Sequence, residues 1–455
     1  MYHDLLRATV DYALQYLDEL NERGVFPTPD AITRLTELGG TLPESPSDPA
    51  EVIRLLDEIG SPATVASSGR RYFGFVIGGS LPATLAANWL AGVWDQNAGL
   101  FVASPVGAAL ESIARQWILD VLQFPAEAEI GFVTGATMAN FTGLAAARHA
   151  LLQRSGWDVE AQGLFGAPPI NVVVGNEVHA SLLKALSLLG MGRERVVRAP
   201  VDDQGRIRPD QLPPLDASTI LCIQAGNVNT GAFDPAEALC ERAHEAGAWV
   251  HVDGAFGLWL AANPKRAHLT VGYADADSWA LDAHKWLNVP YDSGLAICRN
   301  PLHLRGAMST SASYLIESDQ RDPFQYTPEL SRRARGIEIW AALRSLGRSG
   351  LAEMLEQNCR QAERFANGLR AAGYDILNEV ESNQVMVSFG DAETTKQVIA
   401  AIQQEGTSWA GSTVWRGQTA MRISVSSWAT TDEDVDQSLE AILRMASGVK
   451  AGISG

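Results

Sequence analysis

Lys285 is the residue of this sequence whose type and position most clearly suggest chemistry. It ends the run Asp282-Ala283-His284-Lys285 and follows a segment, residues 276–281, that has the character of a buried strand. Lysine is almost never fully buried unless it has a charged partner or a covalent role. The run therefore predicts either an ion pair with Asp282 or a lysine that forms an imine with a carbonyl compound. We favour the imine.

Asp253 closes a second apolar run, Trp249-Val250-His251-Val252, and could supply a negative charge. A bare carboxylate at the end of a buried strand carries a desolvation cost of several kcal/mol unless a cation pairs with it. A protonated pyridine nitrogen would be such a cation, and a structural ion pair with an arginine is the alternative. Ala255 lies on the same face of an extended chain as Asp253 and is small enough to pack flat against a ring.

Three further polar segments each follow an apparent strand. Gly135, Ala136 and Thr137 lie in a turn of small residues whose backbone N–H groups and hydroxyl could bind an anion such as phosphate, although a simple tight turn would use the same residues. His179 follows the next apparent strand and could stack on a ring or could be an ordinary histidine at the start of a helix. Asn227 lies in a glycine-flanked polar loop, which by itself predicts only a loop.

The elements that would position these residues alternate between short apolar runs and helical patterns from residue 129 onward. Such alternation, with runs that are apolar on both faces, predicts an α/β fold with a mostly parallel sheet between layers of helices. Open parallel sheets bind ligands at the carboxyl ends of their strands, so the polar segments should meet in space. We predict an N-terminal segment of residues 1–90, a large domain of residues 91–335 and a smaller C-terminal α/β domain of residues 336–455.

The composition argues against several classes of protein. The 455 residues include 35 Lys and Arg against 53 Asp and Glu, a formal charge of −18, which disfavours nucleic acid and anionic membrane surfaces as partners. No apolar stretch is long enough to span a bilayer and no secretory signal is visible, so we expect a cytoplasmic protein. The four scattered cysteines fit reduced thiols rather than a disulfide framework, and no metal site is expected.

Together the candidate residues match the requirements of one cofactor, pyridoxal 5′-phosphate. That cofactor needs an anion site, an aromatic neighbour, a carboxylate for its ring nitrogen and a lysine for a covalent imine. In their order along the chain, the motifs resemble the group II pyridoxal-phosphate-dependent amino-acid decarboxylases, the family of aromatic-amino-acid, glutamate and tyrosine decarboxylases. The resemblance extends from Tyr72-Phe73-Gly74-Phe75 to Met421-Arg422-Ile423-Ser424-Val425. It implies the aspartate-aminotransferase-like fold, or PLP fold type I, with a seven-stranded type of sheet in the large domain.

The resemblance also implies roles for the residues of the central motifs. Lys285 would hold the cofactor as an imine, and Asp253 would pair with the pyridinium nitrogen. Ala255 would pack on one face of the ring, and His179 would stack on the other face and take part in catalysis. The residues implied at the phosphate and near the phenolic oxygen are Gly135, Ala136, Thr137, His284 and Asn227.

Three residues outside the central motifs are implied in substrate chemistry. Tyr326 lies in the stretch from Glu317 to Pro328, which resembles a shortened mobile catalytic loop, and would return a proton to the substrate carbon. Phe101 would line the substrate pocket. Arg422 would bind the substrate α-carboxylate, unless it forms only a structural ion pair.

The predicted reaction is α-decarboxylation of an L-amino acid to the amine and carbon dioxide, with an aromatic or other uncharged side chain favoured. The alternatives on the same fold are a carbon–carbon lyase or aldolase, a decarboxylation-coupled aldehyde synthase and an aminotransferase. Outside the enzyme class, the alternative is a silent family member that keeps the fold for partner binding. The resemblance further implies a homodimer with the active site at the subunit interface.

Overall fold

The apolar runs predicted as strands form a seven-stranded sheet in the computed structural model, which describes residues 2–310 and 320–452. The strands of this sheet are β1 Glu129–Val133, β2 Asn171–Gly175, β3 Val197–Ala199, β4 Thr219–Gln224, β5 Trp249–Asp253, β6 Ser278–Asp282 and β7 Gly294–Cys298. Their order across the sheet is β1-β7-β6-β5-β4-β2-β3. The pairs from β6 through β5, β4 and β2 to β3 are parallel, whereas β7 is antiparallel to both of its neighbours. The prediction of a mostly parallel sheet is confirmed.

Helices cover this sheet, and others belong to the N-terminal and C-terminal parts of the chain. The α-helices of the described residues are α1 Tyr2–Glu19, α2 Pro29–Arg34, α3 Pro49–Leu55, α4 Pro82–Trp94, α5 Pro105–Val121, α6 Ala136–Arg154, α7 Val159–Gln162, α8 Ala180–Leu188, α9 Ala236–Glu245, α10 Pro301–Met308, α11 Gly336–Ala371, α12 Ala392–Glu405 and α13 Asp432–Lys450. Every residue of β1, β5, β6 and β7 is buried. Burial along a whole strand is typical of a sheet that is covered on both faces.

Helix α6 is the central helix of the large sheet. It packs against β5, β6 and β7, and most of its residues between Ala139 and Leu152 are buried. Its small residues bring the helix close to the sheet, and a helix that is buried around most of its circumference lies in the core. Leu144 and Ala147 of this helix share one hydrophobic cluster with Val174 of β2 and Trp249 of β5. Because α6 begins directly behind β1, the fold delivers its N-terminus to the carboxyl edge of the sheet.

The chain divides into two compact units. One consists of Gly78–Glu363 and Leu377–Val385 and contains the seven-stranded sheet; the other consists of Met1–Ile77, Arg364–Ile376 and Met386–Gly455. The predicted domain boundaries at residues 90 and 335 stay a prediction.

A second, four-stranded sheet is built from C-terminal residues. Its strands are β8 Asp375–Ile376, β9 Gln384–Ser388, β10 Gly411–Trp415 and β11 Gln418–Ser424, in the order β10-β11-β9-β8. The pairs β10 with β11 and β8 with β9 are antiparallel. Together with helices α12 and α13, this sheet provides the smaller α/β part that the sequence predicts.

The cysteines of the chain are reduced and lie in the core. Cys222, Cys240, Cys298 and Cys359 are all buried free thiols, as expected. In the part of the chain that the structure describes, no helix has both the length and the apolar character needed to cross a bilayer. The same residues contain no group of three or more His, Cys, Asp or Glu that could hold a metal ion.

Candidate active site

The carboxyl ends of three parallel strands are tied together by backbone hydrogen bonds. Ala225, which follows β4, donates its N–H to the carbonyl of Asp253 at the end of β5, with an N···O distance of 3.0 Å. Asp282, at the end of β6, donates its N–H to the carbonyl of Ala255 at 2.9 Å. The segments that the sequence predicts to meet at this edge therefore do meet, at β4, β5 and β6.

Lys285 lies in the turn that follows β6. Its side chain is 18% exposed, and its Nζ lies 3.1 Å from Oδ2 of Asp282, whose carboxylate is almost completely buried. The other oxygen of that carboxylate lies 3.3 Å from Nε2 of His284. The ion pair that the sequence allowed as an alternative is thus present, and it holds the lysine head group at the strand edge.

The same carboxylate anchors the start of helix α6. The backbone N–H of Ala136 donates to Oδ1 of Asp282 at 2.5 Å. Gly135 precedes it, and a Cβ there would lie 2.9 Å from Cε1 of His284 and 3.1 Å from Asp282 Oδ1. A Cβ on Gly294 would overlap the backbone of Gly135. Two glycines therefore let β7, the α6 N-terminus and the Lys285 turn approach one another closely.

His284 is held rigidly between two neighbours. Its ring stacks on Tyr291, with ring centroids 4.2 Å apart, and its Nδ1 accepts the backbone N–H of Ser293 at 3.1 Å. Burial lowers the pKa of His284 and Lys285 lowers it further, while Asp282 acts in the opposite direction. Burial is the largest of these effects, so the ring is neutral near pH 7 and can offer Nε2 to a partner in the site.

The residues at the α6 N-terminus fit a phosphate group. Helix α6 starts without a side-chain cap at Gly135, and Thr137 is half-buried in its first turn. A helix N-terminus presents backbone N–H groups and the positive end of the helix dipole. Nearby, the hydroxyl of Ser293 is buried and, within the described ranges, has no hydrogen-bond partner. A buried hydroxyl group normally has a hydrogen-bond partner. The Ser293 hydroxyl is therefore available to donate a hydrogen bond to a bound anion.

Asp253 is positioned at the end of β5 with 5% of its surface exposed. One carboxylate oxygen accepts the backbone N–H of Ala255 at 3.3 Å, and the other accepts Nδ2 of Asn140 at 3.2 Å. Ala255 is half-buried within an otherwise buried stretch, as expected of a residue that faces an open space. These neighbours orient the carboxylate, and a protonated ring nitrogen would supply the cation that its burial calls for.

His179 is the N-cap residue of helix α8. Its Nδ1 accepts the backbone N–H of Ser181 at 3.2 Å and lies 2.7 Å from the Ser181 hydroxyl. Two contacts at Nδ1 leave the proton of a neutral ring on Nε2. In one of its two orientations, the side-chain amide of Gln224 accepts the backbone N–H of His179 at 3.2 Å. His179 is thereby linked to the end of β4, beside Asp253 on β5.

Asn227 uses its side chain to shape its own loop. Its Oδ1 accepts the backbone N–H groups of Asn229 at 2.9 Å and of Thr230 at 3.2 Å. This is the local hydrogen bonding by which asparagine stabilises turns. Its predicted position near the phenolic oxygen of a cofactor stays a prediction.

The ring of Tyr326 lies near the start of β1. Its ring lies 4.6 Å below the guanidinium of Arg321, which pairs with Glu111 at 3.0 Å and with Glu129, the first residue of β1, at 3.2 Å. Gly135 follows the far end of the same strand. Burial raises the pKa of the Tyr326 hydroxyl, with Glu129 adding to the effect. Residues 317–319 of the predicted loop lie outside the described residues, and the role of Tyr326 as proton donor stays a prediction.

Phe101 and Arg422 lie in different compact units of the chain. Phe101 is half-buried in the loop between α4 and α5, where its backbone N–H donates to Oδ1 of Asp322 at 2.8 Å. Arg422 lies on β11 opposite Gly411 of β10, and burial lowers its pKa. Their roles toward a substrate stay predictions.

Four residues of the site were not singled out by the sequence analysis. Asp282 was considered only as an ion-pair partner, although it joins Lys285, His284 and the α6 N-terminus. Asn140 lies four residues after Ala136, a spacing that places both on one face of a helix and could have identified it. Ser293 and Gly78 carry no local signal. A Cβ on Gly78 would overlap the carbonyl oxygen of Lys285, so glycine is required there by a contact that only the fold creates.

Comparison with known proteins identifies the family and the fold. The model of the pyridoxal-dependent decarboxylase conserved domain matches residues 40–390. An aromatic-L-amino-acid decarboxylase of Bacillus atrophaeus is 25% identical over 465 residues, covering 97% of this chain and 94% of that protein. An aspartate 1-decarboxylase of Aliivibrio fischeri is 31% identical over 269 residues, covering 55% of this chain and 49% of that protein. The crystal structure of Oryza sativa TDC with PLP and tryptamine has the same fold, with a TM-score of 0.89 at 21% identity and coverage of 98% and 97%.

The match to the family model and the fold type I architecture define a pyridoxal-phosphate-dependent enzyme. The chain belongs to the pyridoxal-dependent decarboxylase family and is an enzyme that decarboxylates an amino acid with this cofactor. The predictions of family, fold class and cofactor are confirmed.

Proposed function

We propose that the enzyme removes the α-carboxylate of an L-amino acid with an aromatic or other uncharged side chain, giving the amine and carbon dioxide. The observation that carries this proposal is the set of Lys285, Asp253 and the α6 N-terminus around one sheet edge. It supplies a nucleophilic amine, a counter-charge and an anion site in one place. Bound there, pyridoxal phosphate supplies a conjugated ring that takes up the electron pair released when a bond to the α-carbon breaks.

The residues of the strand edge hold the reactants in place. Lys285 would hold the cofactor covalently through Nζ until a substrate amine replaces it, and Asp253 would hold a proton at the ring nitrogen. Ala255 and His179 would confine the ring from its two faces. Gly135, Ala136, Thr137 and His284 would hold the phosphate, and Asn227 would lie near the phenolic oxygen.

The choice of decarboxylation depends on positioning, because the bond that breaks is the one held perpendicular to the ring. Arg422 binds the substrate carboxylate or forms a structural pair. Water must be kept away from the reacting carbon. Tyr326 returns a proton to that carbon, and Phe101 contacts the substrate side chain.

The substrate preference is supported by the full-length similarity to an aromatic-L-amino-acid decarboxylase. The second candidate is an acidic amino acid, which the 31% identity to an aspartate 1-decarboxylase over about half of the chain favours. The two candidates differ in what the pocket must contain. A second carboxylate needs a cationic partner, whereas an aromatic ring needs apolar surface.

A substrate panel tests the proposal. The purified enzyme, reconstituted with pyridoxal phosphate, is incubated separately with Trp, Tyr, Phe, Glu, Asp and Ser, and amine and carbon dioxide are both quantified. We expect equal amounts of the two products from an aromatic substrate. Aldehyde with hydrogen peroxide would indicate an aldehyde synthase, a keto acid would indicate an aminotransferase, and cleavage of the side chain would indicate a lyase or aldolase. An enzyme that binds the cofactor and turns over none of these substrates would support the silent family member.

A homodimer is part of the proposal. In helix α4, the apolar side chains of Trp89, Leu90, Val93 and Trp94 are all substantially exposed, and in α1 the exposed apolar residues Tyr2, Leu6, Val10, Leu14 and Leu17 share one face. Contiguous exposed apolar surfaces of this kind mark protein–protein contacts. The family resemblance implies that a second copy of the chain covers these apolar surfaces. The cytoplasmic location stays a prediction.

A further inference from the structure

A continuous line of hydrogen bonds leads from Asp253 into the interior of the protein. Asn140 Nδ2 donates to Asp253 Oδ2 at 3.2 Å, and Asn140 Oδ1 lies 2.8 Å from Nε2 of His251. Nδ1 of His251 lies 2.8 Å from the hydroxyl of Ser278, which accepts Nε1 of Trp249 at 2.9 Å. All five side chains belong to buried residues on α6, β5 and β6. None of the four residues beyond Asp253 has a role in the proposed function.

One direction satisfies every hydrogen bond of this line. An indole N–H can only donate, so Trp249 occupies one of the two lone pairs of the Ser278 hydroxyl, which can then donate its proton to Nδ1 of His251. A neutral imidazole that accepts at Nδ1 donates from Nε2 to the carbonyl oxygen of Asn140. The amide nitrogen of Asn140 must then face Asp253. Each donor therefore points toward Asp253, which receives the last proton as an acceptor.

We propose that Asn140, His251 and Ser278 are positioning residues that fix Asp253 as a carboxylate acceptor aimed at the ring nitrogen of the cofactor. The proposal rests on the cofactor role of Asp253 in the proposed function and extends it to residues that do not touch the cofactor. Reversal of the line would turn the carbonyl oxygen of Asn140 toward the carboxylate. Two facing acceptors in a buried site repel each other, so reversal is unfavourable.

Two further observations support a neutral His251 in a fixed position. Burial lowers its pKa to about 3, so the ring carries one proton at neutral pH. A Cβ on Gly143 would lie 2.7 Å from Cε1 of His251, closer than ordinary contacts allow. Gly143 stands one turn beyond Asn140 on α6, and its missing side chain provides the room for the imidazole ring.

A cofactor analogue separates this role from simple packing. In 1-deazapyridoxal phosphate the ring nitrogen is replaced by carbon, so Asp253 has no cation to pair with. The dissociation constants of pyridoxal phosphate and of this analogue are measured by absorbance and fluorescence titration of the apoenzyme for wild type, Asn140→Leu, Gly143→Ala and His251→Gln. Gln is the conservative variant because its Nε2 can still donate to Asn140. Thr142→Val is the matched control, because Thr142 is also buried on α6 and its hydroxyl donates to the carbonyl of Met138 in the same helix.

Asn140→Leu should weaken pyridoxal phosphate binding by about tenfold or more, as expected for a lost hydrogen bond to a charged group, and leave the analogue within about twofold. Gly143→Ala, which displaces His251 without removing a polar group, should show the same pattern with a smaller change. His251→Gln and Thr142→Val should bind both compounds as wild type does. Equal weakening of both compounds, or of neither, in Asn140→Leu and Gly143→Ala would overturn the proposal. A wild type that failed to bind pyridoxal phosphate would instead refute the cofactor role on which it rests.

Discussion

The Nζ of Lys285 lies 3.1 Å from the carboxylate of Asp282, three residues earlier at the end of β6. The ion pair and the imine are therefore not competing explanations of this lysine. Without a carbonyl partner, the carboxylate balances the ammonium group at the edge of the sheet. When the nitrogen forms a covalent bond, His284 and the N–H of Ala136 remain as partners of Asp282.

Lys285→Ala should abolish the visible absorption of the bound cofactor together with decarboxylation. The variant lacks the only nitrogen that the proposal uses for covalent attachment, while the buried framework around it is unchanged. Lys184→Ala, on the exposed surface of helix α8, is the control and should match wild type in both measurements. Retention of the absorption band in Lys285→Ala would show that another amine carries the cofactor.

Asp282→Ala should lower the free energy of unfolding by about 1–3 kcal/mol, because it leaves the N–H of Ala136 and the head group of Lys285 without their acceptor. Asp282→Asn keeps an oxygen for Ala136 and should lose less. Urea unfolding of the apoenzyme compares the two variants. Equal stability of Asp282→Ala and wild type would mean that water replaces the carboxylate without cost.

Ser293→Ala should weaken pyridoxal phosphate binding by about fivefold without reducing the stability of the apoenzyme. The reason is that the buried Ser293 hydroxyl has no partner among the described residues, so its removal sacrifices no protein contact. Equilibrium titration and thermal unfolding measure the two quantities. A loss of stability with unchanged cofactor affinity would assign the hydroxyl to the protein framework instead.

His251→Gln should make the free energy of unfolding less dependent on pH below neutral pH. Burial lowers the pKa of His251 from 6.5 to about 3, so between these values the unfolded chain binds a proton that the folded chain does not. The stability that a neutral His251 contributes is fully present above pH 6.5 and is lost as the pH falls toward 3. From about pH 7 to about pH 5, wild type should lose about 2 kcal/mol more than the variant. Parallel urea-unfolding profiles for the two proteins would contradict this assignment.

Val93→Lys should shift the enzyme from dimer to monomer. Val93 is 69% exposed on α4, and a charge placed within an apolar contact would lose its hydration without gaining a partner. Leu302→Lys on α10, where the leucine is 71% exposed, is the matched control and should stay dimeric. Size-exclusion chromatography with light scattering gives the mass of each. A monomeric wild type would refute the dimer itself.

Residues that combine unusual chemistry with an apolar strand were predictable from the sequence. Asp253 ends one fully buried strand and Lys285 follows another, and a charge in such a position has few explanations other than a partner or a covalent function. Parallel topology then predicted that their strands end at one edge, as they do. The order of the motifs was sufficient to indicate the family, because each motif comes from a separate strand of one sheet.

Residues whose role depends on close contact between distant segments could not be predicted in this way. Gly78 must be glycine because the carbonyl of Lys285 lies against it, and Gly143 must be small because His251 fills the space beside it. The position of the Tyr326 ring under Arg321, near the start of β1, is likewise set by the fold, and its role as proton donor stays a prediction. Sequence spacing carries no information about such neighbours, which are set by how the layers of the fold pack.

The amino-acid sequence by itself determined the family of this protein and hence its cofactor. It also supplied the lysine, the carboxylate and the turn of small residues that we propose as the cofactor site. Only the tertiary structure decided how that chemistry is controlled. It brought Asp282 to the helix N-terminus and joined Asn140, His251 and Ser278 in a line behind Asp253. The reason is physical. Residue type fixes what a side chain can do, whereas the direction of a buried hydrogen bond depends on which donors and acceptors the fold places within reach.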